Sequence, residues 1–307
     1  MKKLKRILRL FKNAGVGFIN DNAFKLSASL SYYTIFALCP MLLIMISLVG
    51  LFFGREAVQG KVYWQLNGLV GNEAALQIQN IIKNIQHTHH TTIGTVIGAI
   101  VLIIGATGVF TEMQDSINYI WSVKAKPKKG WLRFLINRLL SFSLIVGMGF
   151  VMLVSLVASA LLNLLSDKLE RLFSSYTVYL FNIFNWCVTL VVISVLFTLI
   201  YKILPDAIIS WKDALIGSAV TAALFLLGKF LISYYLGRSN LDLTYGTAAS
   251  IIIILTWVFY NALILYFGAE FTKMYALQQG EGIRPKETAV FIIKKESKEV
   301  PASYLET

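Results

Sequence analysis

The chain has 307 residues, 57% of them hydrophobic and 14% charged, with a formal net charge of +12 and a mean hydropathy of +0.68. A soluble chain carries about a quarter charged residues, so a water-soluble enzyme of this size is excluded for want of charge to cover its surface. Disorder is excluded by the same hydrophobicity, and a disulfide scaffold by a cysteine count of two.

The first element in chain order is an amphipathic arm over 1–24. Leu4, Ile7, Leu8 and Phe11 recur at helical spacing, while Lys2, Lys3, Lys5, Arg6, Arg9 and Lys12 take the other faces. That pattern predicts a helix lying on the cytoplasmic leaflet. It lacks the unbroken apolar run and small-residue cleavage site of a signal peptide, so it is expected to stay on the chain.

A hydrocarbon core about 30 Å thick takes roughly 20 apolar helical residues. Charge-poor runs place six spans at about 28–53, 91–110, 139–166, 172–201, 214–236 and 247–269. Barrel strands would alternate instead of running apolar, and only helices or closed barrels span lipid. The expected fold is therefore all-α: a polytopic membrane domain over 25–270 with six transmembrane helices and added amphipathic interfacial helices. A flexible cytoplasmic tail over 271–307 is expected to follow. Cys39 and Cys187 fall inside spans one and four and are read as small buried residues.

Two connecting segments carry patterns of their own. In the loop after span one, Asn72 can cap a helix with Ile78, Ile81, Ile82 and Ile85 on one stripe. The same loop ends in His87, His89 and His90, three imidazoles without a neighbouring carboxylate or cysteine, and no metal site is assigned to them. After span two, where Gly105 and Gly108 can turn the chain, Thr111 and Gln114 have capping-box spacing. They would open a helix with Met113, Ile117, Ile120 and Trp121 on one side and Glu112, Asp115 and Asn118 on others. The Lys126–Gly130 break follows, and this elbow is expected to lie among the inner headgroups.

Lysine and arginine set the orientation. Twenty-one of the 28 fall on the arm, the loop after span two, the turn between spans four and five and the tail. Positive-inside then places both termini in the cytoplasm. The surplus charge is thereby explained by topology and anionic lipid headgroups, with no need of nucleic acid.

Three polar stripes cross the spans. Asn20, Ser27, Ser31 and Thr34 share a face at the cytoplasmic half of span one. Asn182, Asn185 and Thr189 line the outer half of span four, and Tyr245, Thr256 and Tyr260 one face of span six. Each stripe could equally be hydrogen-bonded glue between helices, worth about 0.6 kcal/mol per bond. Lys229 is the one charge inside a span, which makes it a functional candidate, although its stem can also snorkel outward. Asp242 in the next loop is its nearest expected partner.

The order of several short segments resembles the YihY/BrkB family of bacterial inner-membrane proteins, once labelled ribonuclease BN. The carriers are Asp21, Ala28-Ser29-Leu30-Ser31-Tyr32-Tyr33-Thr34, Pro40, Met113-Gln114-Asp115 and Ile120-Trp121. Leu204-Pro205, Tyr245-Gly246, Trp257 to Tyr260 and Gly268-Ala269-Glu270 continue the series. The resemblance runs from about Gly15 to Leu277 and implies a six-span inner-membrane protein. It also implies a loose tie to serum resistance, lipopolysaccharide or phospholipid traffic and RNA processing, without a catalytic set to carry over.

From these residues the expected function is handling or translocation of a lipid or another anionic amphiphile. The path would be a polar groove through Ser27, Ser31, Thr34, Asn182, Asn185, Thr189, Lys229, Tyr245, Thr256 and Tyr260. A non-transporting envelope scaffold is the alternative, as a homo-oligomer or a complex subunit. A ribonuclease comes last, because Asp21, Glu112, Asp115, Asp206, Asp213 and Glu270 read as scattered at helix ends, with no cytoplasmic histidine. No enzyme activity, cofactor or metal is expected, and the expected partners are membrane lipids and their anionic headgroups.

Overall fold

The computed structural model of the chain describes residues 2–37, 76, 79, 108–126, 175–238 and 249–294. Within them the helices are α1 (Lys2–Asn20), α2 (residues 23–37), α3 (residues 108–120), α4 (Ser175–Ile203), α5 (Trp211–Arg238) and α6 (Ala249–Gln279). Among the described residues, three stretches are long and apolar enough to cross a membrane: Trp186–Ile203, Trp211–Tyr235 and Ile251–Gln279. They coincide with the expected spans four, five and six. Span three, His87–His90, Asp242 and Asn72 lie outside the described residues, as do most of span two and the far part of span one.

The termini of these helices follow from local chemistry. α4 stops at Ile203, just before Leu204-Pro205, because a proline ring disfavours helical backbone in the residue preceding it. Ser210 then caps α5, its hydroxyl accepting the Asp213 N–H at 3.1 Å. α6 ends where Gly280 and Gly282 return N–H bonds to Tyr275 and Ala276, with Gly282 at φ 81. Between α1 and α2 the chain turns through Asn22 at φ 53, a left-handed conformation that asparagine tolerates better than most residues.

α5 lies between α4 and α6 and runs antiparallel to both. Thr198 meets Ser218 and Tyr201 meets Thr221 across the first seam. Across the second, glycines let the backbones close up. A side chain at Gly217 would collide with Thr272, one at Gly268 with Thr221 and Tyr201, and one at Gly228 with Tyr260. Gly217-x-x-x-Thr221 of α5 and Gly268-x-x-x-Thr272 of α6 therefore interlock, each threonine seated on the other helix's glycine, as small-residue packing in a membrane favours. Both threonine hydroxyls donate to carbonyls one turn back, Thr221 to Gly217 and Thr272 to Gly268.

The other elements gather at one end of this trio. α1 packs on the last part of α6 through Leu10, Ala14 and Phe18, with Phe11 against Phe267 and Phe271. The stripe expected on lipid is divided: Phe11 turns to α6, while Ile7 and Leu8 stay exposed. α3 is packed into protein as well. Ile117, Ile120 and Trp121 are buried in the main core, and the Trp121 indole donates to the Ala269 carbonyl at 3.0 Å. Its helix has already begun at residue 108, so Thr111 caps nothing, and Gln114 turns to Asp206 instead. Cys187 is exposed on α4 and not buried.

Short strands were not foreseen. β1 (Val123–Ala125) pairs antiparallel with β4 (Ala289–Phe291), Lys124 opposite Val290. β2 (Ala207–Ile208) pairs with β3 (Arg284–Pro285) in the same sense. The segment 271–294, read from sequence as flexible tail, thus completes α6 and clasps both the loop after α3 and the turn between α4 and α5. The arm's end, that loop, that turn and the segment after α6 meet on one face, the four places the lysines and arginines had grouped together.

Candidate functional site

Among the described residues, three polar regions come out of this packing. The first contains sequence candidates. Ser27 and Ser31 are buried on α2, and the Ser31 hydroxyl donates to the Ser27 carbonyl at 2.7 Å, as Thr34 does to Leu30. These hydroxyls answer to their own helix. Thr256 and Tyr260 lie one turn apart on α6, both half-buried. The Tyr260 ring edge and hydroxyl rest on Gly228, and Ile232 meets Ile253 a turn further along the same seam. Lys229, half-buried, sits between Gly228 and Ile232, so it and Tyr260 share one level of the α5–α6 seam. Thr189 is half-buried on α4. Asn182 and Asn185 lie in α4, their side chains outside the described residues, as is Tyr245.

The second region was not among the candidates. Glu270 of α6 is wholly buried, its carboxyl against Gly17 of α1, where a Cβ would stand 2.7 Å from Oε2. Asp21 follows α1 and shares the Lys273 ammonium with Glu270. Lys273, one turn on from Glu270, reaches Glu270 at 3.4 Å and Asp21 at 3.5 Å. Lys294, beyond β4, comes back over the Tyr119 ring, 4.3 Å from its centroid, and contacts Asp21 Oδ2 at 2.5 Å. Burial works to raise the Asp21 pKa, but the neighbouring Glu270, Lys294 and Lys273 outweigh it and hold the carboxyl below its ordinary value. Burial pushes the Lys294 ammonium the other way, below its usual range, against the pull of Asp21.

Beside this cluster opens a cleft of about 440 Å³ walled by α1, the end of α6, Ser122 and Lys294. Sequence reasoning missed it because Asp21, Glu270 and Lys294 are far apart along the chain. Their only sign was that Asp21 and Glu270 stood among the segments carrying the family resemblance.

A third cluster is structural. Asp206, in the turn between α4 and α5, accepts from Gln114 at 3.2 Å and Asn118 at 2.9 Å, while the Asn118 oxygen accepts the Asp206 N–H at 2.8 Å. The Asp206 carbonyl takes the Lys286 N–H at 2.9 Å. Asp213 does similar work at the start of α5: its carboxylate accepts the Glu281 N–H at 3.0 Å beyond the end of α6. Buried carboxylates are costly without such donors.

Apolar helices long enough to span lipid, held by glycine–threonine seams and edged by a charged end, define a polytopic helical membrane protein. More narrowly, the chain belongs to the Virulence factor BrkB family, whose profile matches residues 15–291. It is 27% identical over 259 residues to a UPF0761 membrane protein of Pseudomonas aeruginosa (strain LESB58), covering 82% of this chain and 59% of that one. A UPF0761 membrane protein of Vibrio vulnificus (strain YJ016) is 26% identical over 297 residues, 90% of this chain and 87% of its own. The chain thus spans about 59% of the length of the Pseudomonas relatives it matches. No solved structure matches it.

Proposed function

We propose that this BrkB-family membrane protein handles a lipid or another anionic amphiphile in a bacterial inner membrane, along a polar path beside the α5–α6 seam. Both termini are taken to be cytoplasmic, and the protein to be a carrier, not an enzyme. The observation behind the reading is a shared level at that seam: Lys229 follows Gly228, on which the Tyr260 hydroxyl rests, within otherwise apolar helix. A cation inside a span is costly, and an ammonium beside a phenol suits the phosphate of an amphiphile entering from lipid. Asp21 and Glu270 do not suit hydrolysis, since each is already engaged by a lysine.

The test is lipid scrambling by the full chain in proteoliposomes, followed with a head-labelled fluorescent phosphatidylglycerol and an impermeant quencher. Movement above protein-free vesicles is expected. Lys229→Met should slow it by roughly tenfold or more, the size expected for one lost charge-assisted hydrogen bond. Rates equal to empty vesicles for the folded parent protein would favour an envelope scaffold.

A further inference from the structure

The cleft next to Asp21 has a charge that its fold alone does not require. The cleft wall carries the Lys273 and Lys294 ammonium groups and the Asp21 carboxylate, while Glu270 is wholly buried behind it. Two ammonium groups against one carboxylate leave the wall with one net positive charge. Asp21 Oδ2 is buried without a well-aligned hydrogen bond, although both lysines are near it, so the ion pairs are not saturated in geometry.

The rest of the wall has the chemistry of an anion seat. Asn13 and Asn20 of α1 and Ser122 supply neutral donors. Ser122 is held there by a left-handed turn at φ 57 between α3 and β1, while its carbonyl is occupied by the Ile292 N–H at 2.8 Å. The turn therefore leaves the hydroxyl as the polar group it offers. Val16 of α1, half-exposed, forms an apolar edge on the same cleft. One positive charge, neutral donors and an aliphatic edge match a singly charged phosphodiester bearing organic substituents better than they match a bare multivalent anion.

We infer that this cleft is a binding site for a phosphodiester monoanion, contacted by Lys273 and Lys294 and oriented by Asn13, Asn20 and Ser122. The chemistry is common to a phospholipid headgroup and a soluble glycerophosphodiester. The site is separate from Lys229 and binding there needs no translocation, so this inference and the transport reading can fail independently.

The test uses the full chain purified in a maltoside detergent, with binding followed by calorimetry. Three probes are titrated: monomeric dihexanoyl phosphatidylglycerol, glycerophosphoglycerol and inorganic phosphate. Saturable binding of one or both phosphodiesters is expected, at least about tenfold tighter than inorganic phosphate. Binding of glycerophosphoglycerol as tight as the lipid would assign a soluble ligand, and a preference for the lipid a headgroup. Lys273→Gln should weaken binding about tenfold and Lys273→Arg restore most of it. Val16→Trp fills the cleft without touching the ion cluster, and should weaken binding similarly if the glutamine variant fails to fold. No saturable phosphodiester binding, or equal binding by the parent and a folded Val16→Trp, would overturn the site.

Discussion

Asn118 holds Asp206 from two sides: its amide nitrogen donates to the carboxylate at 2.9 Å, and its amide oxygen accepts the Asp206 backbone N–H at 2.8 Å. This reciprocal pair ties α3 to the turn between α4 and α5. Asn118→Leu would leave a buried carboxylate and a buried N–H each short of a partner. The expected loss is about 2–4 kcal/mol, read as a lower midpoint for thermal unfolding in detergent. Asn118→Asp, which keeps shape but adds a second negative charge, should be at least as damaging.

The glycine–threonine seam gives a second expectation. Even a methyl at Gly268 would intrude on Thr221 and Tyr201, so Gly268→Ala should force α5 and α6 apart. Overpacking of this kind costs about 1–3 kcal/mol. Gly268→Ala combined with Thr221→Ser should recover part of the loss, because serine lacks the methyl that adds to the crowding. Equal unfolding midpoints for the parent and Gly268→Ala would remove the seam as a determinant of stability.

Tyr201 of α4 reaches across to α6, donating to the Leu265 carbonyl at 2.8 Å, with the Thr221 hydroxyl 3.2 Å away. Tyr201→Phe keeps the ring packing and deletes these bonds. The expected change is about 0.6 kcal/mol, the average for a hydrogen bond between membrane helices. A loss well beyond 2 kcal/mol would mean that the hydroxyl organises more than this contact.

Asp21 supplies an acid limb. Its folded-state pKa lies below the ordinary 3.8, so the unfolded chain takes up the proton more readily. Its contribution to stability is therefore complete above about pH 4 and is lost as pH falls through the folded value. Unfolding midpoints measured between pH 3 and 7 should drop on the acid side for the parent chain and drop less for Asp21→Asn. Identical acid limbs in both would place the titration elsewhere.

Topology is open to direct labelling. With both native cysteines replaced, Lys128→Cys should resist an impermeant reagent applied to intact cells, and Thr88→Cys should react. The reverse pattern would invert the orientation.

What the sequence determined by itself is the membrane class and three of its helices. Charge-poor apolar runs of about 20 residues can be stable only as helices in lipid, so spans four to six could be read from the chain and meet the helices α4, α5 and α6. That the arm, the loop after α3, the turn between α4 and α5 and the segment after α6 form one group was also legible, because basic residues mark the loops of one side. Tertiary structure decided the rest. An amphipathic period shows that one face of a helix is apolar but not what covers it, so the apolar faces holding Phe11 of α1 and Trp121 of α3 could be read but not their packing on α6. The segment after α6 looked flexible because strands of two and three residues have no period to detect. The charged cluster was hidden for a related reason. Asp21, Glu270, Lys273 and Lys294 are polar residues at element ends when read one at a time, and only the docking of α1 on α6 takes them out of water together.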